Sequence, residues 1–128
     1  MYALVLRLGA RPLRMRVGAL GVLHFKAGYY CYAGSARRGL KARLERHLRR
    51  RAKKKHWHVD YLRQRTEPVA LFVWTADEAA ECELSQAIGR LAEESVRGFG
   101  ASDCSCLSHL HYFPGEPRGR LRRLRIPG

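Results

Sequence analysis

Apolar side chains recur at every second position through the first part of this chain, and a segment with that interval buries a continuous face only as a β-strand. Tyr2, Leu4, Leu6 and Leu8 alternate with Ala3, Val5 and Arg7, which predicts a strand with one well-buried face. Leu13, Met15 and Val17 alternate with Arg14 and Arg16, Gly18 and Gly21 punctuate, and Val22 to Phe25 resumes the extended pattern. Gly28 resets the chain, and Tyr29 to Ala33 forms another extended run ending in Gly34-Ser35. Four strands ahead of Ser35 imply an antiparallel meander.

Beyond Ser35 the interval lengthens. Leu40, Leu44, His47 and Leu48 share one stripe of a helix whose opposite face is almost entirely Arg and Lys. His56 to Gln64 suits either a strand or a helical turn, and Pro68 to Thr75 is an apolar run of strand length, as expected of a strand covered on both faces. Thr75 with Glu78 reads as a capping box for a second amphipathic helix marked by Ala80, Leu84, Ala87, Ile88 and Leu91, stopped by Gly98 and Gly100. Phe99 to Phe113 reads as a loop, and the basic C-terminal stretch as an edge strand closing the sheet. The expected architecture is α+β: one domain over residues 1–128, an antiparallel sheet with an N-terminal meander, flanked by two main helices.

Charge narrows the function classes. The chain carries 25 Lys and Arg against 11 Asp and Glu, a net +14, and the excess is clustered. Between Arg37 and Lys55 there are 11 basic residues against Glu45 alone, and Arg118, Arg120, Arg122, Arg123 and Arg125 form a second group, leaving the rest near neutral. A density of +10 in one segment exceeds what solubility requires and points to phosphate, with Arg37, Arg38, Lys41, Arg46, Arg50, Lys53, Lys54 and Lys55 as the binding residues. Nothing in the run reads bases, so recognition is expected through backbone or shape. No apolar run approaches a membrane span, no signal-peptide pattern opens the chain, and the four cysteines read as thiols of a cytoplasmic protein. The expected partner is nucleic acid, DNA in the first instance, with no membrane; the sequence points to no particular protein partner.

The segment Tyr29 to His47 carries the chemistry. A strand delivers Tyr32, Gly34 permits a close backbone approach, and the next helix sets Arg43 and His47 one turn apart on one side. A tyrosine that accepts a proton, an arginine that neutralises a phosphoryl oxygen and a histidine that hydrogen-bonds phosphate together describe phosphodiester hydrolysis. Each has a plainer reading: the tyrosines as cross-strand core partners, Arg43 as a solvated helix charge.

With Tyr32-Ala33-Gly34 and Arg43-Leu44-x-x-His47 in place, the chain resembles the GIY-YIG nuclease superfamily, in particular a small branch of it. The branch's other blocks match Trp57-His58-Val59-Asp60-Tyr61-Leu62 and Gly98 to His109. The first half-motif departs from the pattern, because Tyr2 follows Met1 and stands much further than usual from Tyr32; a hairpin inserted between them would leave the two on adjacent strands. The resemblance implies a Mg²⁺ (or Mn²⁺) endonuclease acting on DNA, in a repair setting. Tyr32 and Tyr2 would position or deprotonate water, Arg43 steady the phosphate, His47 assist, and Glu83 hold the metal, with Glu81 pointing elsewhere. His58, Asp60, Ser35, Ser102, Asp103 and His109 would line or support the site.

Two other classes compete. A non-catalytic nucleic-acid-binding module would keep the fold and the basic face without hydrolysis. A zinc-held interaction protein would draw on Cys104, Cys106, His109 and His111, but the single residue between the two cysteines is too few for structural zinc, so zinc is not expected.

Overall fold

The computed structural model describes residues 1–34, 42, 45–47, 58–74, 81–101 and 106–124. Seven strands are described: β1 (Tyr2–Leu8), β2 (Leu13–Arg16), β3 (Val22–Phe25), β4 (Gly28–Gly34), β5 (Glu67–Val73), β6 (Glu94–Ser95) and β7 (Leu110–Phe113). The described helices are α1 (His58–Arg63), α2 (Glu81–Leu91) and α3 (Arg118–Arg122), besides a 3₁₀ turn at Gly18–Leu20 and helical residues at 42 and 45–47. Five strands form one antiparallel sheet in the order β5-β1-β4-β7-β6, and β2 with β3 forms a separate ribbon. The α+β class expected from the alternation is the class observed. The meander is not: β1 pairs directly with β4, Leu4 opposite Tyr32, and the β2–β3 ribbon is an excursion between them.

β1 is buried on both faces, where one face was expected. Its even-numbered side chains join Tyr30, Tyr32, Leu110 and Tyr112 in a core completed by Val59 and Leu62 of α1, Phe25 of the ribbon and Phe99. Its odd-numbered side chains, Ala3 and Val5, join Cys31, Ala33 and Phe113 beneath Leu84 and Ile88 of α2 and Leu121 of α3. The sheet is therefore the middle of three layers. Burial pushes the Cys31 thiol up to about 12.

Three other expectations change. The run over Pro68 to Thr75 is an edge strand, not a strand covered on both faces: among the described residues β5 pairs only with β1, and Leu71 and Val73 stay 43% and 49% exposed. The C-terminal stretch is the helix α3, which buries Leu121, and not an edge strand. The segment read as a loop from Phe99 contains β7, and the ambiguous block from His56 contains helix α1. Among the described residues no helix is long and apolar enough to cross a membrane.

Candidate functional site

β1 begins, and β4 ends, at the same end of the sheet, because Tyr2 pairs with Gly34. Tyr2 and Tyr32 lie on the same face there, with ring centroids 6.4 Å apart. His47 closes the group. Its Nε2 shares a 2.6 Å hydrogen bond with the Tyr2 hydroxyl, and its ring meets the Tyr32 ring edge-on at 5.9 Å. All three are buried. Gly34 is required by this packing: a Cβ at that position would overlap the Tyr2 ring and hydroxyl.

His47 is held from below by a residue that the sequence did not single out. Arg63, at the end of α1, donates from Nε to the His47 carbonyl at 2.9 Å and from Nη1 to the Thr66 carbonyl at 2.6 Å. Its exposure is only 5%, so the guanidinium spends its donors on backbone rather than on water. A basic residue on the inner stripe of a helix beside Val59 and Leu62 is the signal that was available. Asp60 is fully buried and accepts a 2.9 Å bond from Arg46 Nη2, which ties α1 to the basic segment. His58 accepts the Gly100 amide proton at Nδ1, 2.8 Å away, and its ring packs on Phe99, so it braces a turn; burial pushes its pKa down.

Glu83 does not share this face. It is exposed on α2, whose Leu84 and Ile88 pack against the opposite side of the sheet. The first-turn acid that turns inward is Glu81, contrary to the expectation that it points elsewhere: its Oε1 lies 3.2 Å from Nδ1 of His109. His109 is accordingly engaged with α2 and with the carbonyl of Ala33, 3.1 Å from Nδ1. Ser35, Arg37, Arg38, Lys41, Arg43, Arg50, Lys53, Lys54, Lys55, Ser102 and Asp103 lie outside the described residues, as do Cys104 and the Thr75–Glu78 capping box. The second basic group begins in α3, on the α2 side of the sheet.

The cysteines differ from the reading as thiols. Cys82 and Cys106 are joined as a disulfide, and Cys31 is free and buried. Cys82, Cys106 and His109 bring their ligand atoms within 4.8 Å of one another. Cys106 and His109 belong to the set weighed from the sequence with Cys104 and His111; Cys82, 24 positions before Cys106, does not. His111 is engaged instead by a pair of hydroxyls: Ser85 Oγ gives its proton to the Ser108 carbonyl and so accepts from Nε2 at 2.7 Å, while Ser95 Oγ donates to Nδ1 at 2.6 Å. Burial, assisted by His109, pushes the His111 pKa down to about 4. The usable signal was Cys106-x-x-His109, a spacing that lets two ligands converge.

The chain matches, over residues 1–124, a family model described as Domain of unknown function DUF123, and it belongs to that family. No curated protein and no solved structure matches it.

Proposed function

We propose that this member of the family binds nucleic acid through the basic segment between Arg37 and Lys55 and hydrolyses phosphodiester bonds, DNA being the first substrate to test, at the Tyr2–Tyr32–His47 group. The observation that carries the reading is the 2.6 Å bond between Tyr2 and His47 beside Tyr32, at the sheet end from which the basic segment departs. An imidazole in that contact can draw the phenolic proton, and the phenol oxygen can then take one from water, a general-base step that typically supplies about 10²–10⁴ in rate. Arg63 keeps the imidazole in place through its carbonyl. Arg43 supplies the charge that steadies the phosphate in this reading, on the strength of its place one turn before His47 in the sequence.

A divalent ion, which the GIY-YIG resemblance implies, does not fit Glu83 or Asp60, the two described carboxylates that the sequence offers for this site. Glu83 is exposed on the helix of the other face, and Asp60 is buried and occupied by Arg46. That mismatch, with the burial of Tyr2 and His47, favours a second reading, a nucleic-acid-binding module of the same fold without hydrolysis.

The two separate in one experiment. Nicked, branched and single-stranded DNA are incubated with the protein, with and without Mg²⁺ or Mn²⁺. The hydrolytic reading expects cleavage that falls roughly 10²-fold or more in Tyr2→Phe and His47→Ala while binding is retained. Salt-dependent binding with no cleavage on any substrate leaves the module. Cleavage that survives Glu83→Ala unchanged removes that carboxylate as a metal ligand.

A further inference from the structure

We infer that Cys82, Cys106 and His109 form a redox-gated zinc site on the α2 side of the sheet, separate from the tyrosine–histidine group. Three separate places in the chain supply the ligands: Cys82 from the first turn of α2, Cys106 from the loop before β7, and His109 from the entry to that strand. The histidine settles which atom binds. A backbone carbonyl only accepts, so the 3.1 Å contact to Ala33 puts the proton of the neutral ring on Nδ1. The lone pair is then on Nε2, the atom 3.9 Å from Cys82 Sγ. In a tetrahedral zinc site, with bonds of about 2.3 Å to sulfur and about 2.0 Å to nitrogen, those two ligands stand roughly 3.5 Å apart.

The surroundings repeat the outer shell of a metal-bound histidine. Such a ring passes its other N–H to a carbonyl or carboxylate, which orients it and raises its basicity. Here Nδ1 faces both, the Ala33 carbonyl and Glu81 Oε1 at 3.2 Å. A disulfide alone gives no reason for a buried histidine to be oriented toward its sulfur by a carboxylate. His109 is 2% exposed, and Cys82 and Cys106 are half-buried, so a small ion can reach the sulfurs while the imidazole stays dry.

The chemistry balances with a dithiol reductant. The Cys82–Cys106 bond breaks, two electrons and two protons pass from the dithiol to the sulfurs, and the reductant leaves as its own disulfide. Zn²⁺ then displaces the two thiol protons and binds two thiolates and Nε2, with the fourth position open to water. A disulfide oxidant reverses the sequence: the two thiolates pass two electrons to it, it leaves as a dithiol with two protons taken from water, the Cys82–Cys106 bond forms again and Zn²⁺ is released. Because Ala33 immediately precedes Gly34, the loaded site pins the end of β4 against which Tyr2 packs.

The test titrates full-length protein, reduced with a dithiol, stripped by chelator and checked for folding by circular dichroism, against Zn²⁺ in competition with a chromophoric chelator. The expected result is about one equivalent bound by the reduced form and none by the oxidised form. Cobalt substitution should give thiolate-to-metal charge-transfer bands. Glu81→Gln should weaken binding roughly 10- to 100-fold, and Cys31→Ala should leave it unchanged. Should Cys82→Ser or His109→Asn fail to fold, alkylation mapped by mass spectrometry on the unaltered chain decides instead, with zinc shielding Cys82 and Cys106. Reduced, folded protein that takes up no zinc, or zinc that shields neither of those cysteines, overturns the proposal, whatever the outcome of the cleavage assay.

Discussion

Gly34→Ala should change sign with the residue at position 2. Gly34 is the last residue of β4, in an ordinary extended conformation, and there alanine would stabilise the protein by about 0.4–1 kcal/mol by reducing the freedom of the unfolded chain. The added methyl, however, would fall on the Tyr2 ring, which is fully buried and tied at its far end to His47, so the ring has nowhere to retreat. Overpacking of this kind costs about 1–3 kcal/mol, which outweighs the entropic gain. A net loss of about 2 kcal/mol, set against an unfolding entropy near 2.1 cal/mol/K per residue, lowers the melting temperature by roughly 7 °C for a chain of 128 residues. In a Tyr2→Leu background the obstruction is gone, and the same glycine replacement should be neutral or stabilising. Four thermal melts followed by circular dichroism complete the cycle. An equal loss in both backgrounds would refute the contact and, with it, the account of how Tyr2 is held.

Three further outcomes follow from other parts of the molecule. Arg63→Met should lose about 2–4 kcal/mol in urea unfolding, because two carbonyls lose a charged donor inside the protein, and it should slow any cleavage without altering nucleic-acid affinity. Cys31, its thiol raised to about 12 by burial, stays protonated across the neutral range; iodoacetamide at mildly alkaline pH should leave it unmodified until denaturant is added. Nucleic-acid affinity, read by fluorescence anisotropy, should fall roughly 10³-fold between about 50 and 200 mM salt if about six phosphates are neutralised, and a flat response would remove the basic segment as the contact surface.

What was legible in the amino-acid order was whatever periodicity encodes. The alternation from Tyr2 to Leu8 placed a strand correctly, and the half-motifs brought Tyr2, Tyr32 and His47 together across a long sequence gap. Periodicity does not say which neighbour a strand has. Val69 to Val73 is apolar enough for an inner strand, yet among the described residues β5 has β1 as its single neighbour and so lies at the edge. Nor does a helical stripe say which face of a sheet it covers: Leu84 and Ile88 marked the buried side of α2, and the fold laid that side on Ala3 and Val5, away from the tyrosines. Glu83 was read as facing the site for want of that one fact. The partnership of Cys82 with Cys106 spans 24 positions, and cysteine pairing is not recoverable from spacing alone.

The two-sided burial of β1 bears on how the molecule comes apart. Leu4 and Leu6 serve one apolar cluster while Ala3 and Val5, on the same stretch of backbone, serve the other. Neither cluster can be exposed without removing a wall of its neighbour, so α1 and α2, which never share a face, should lose their structure in one concerted transition, with calorimetric and van't Hoff enthalpies in agreement.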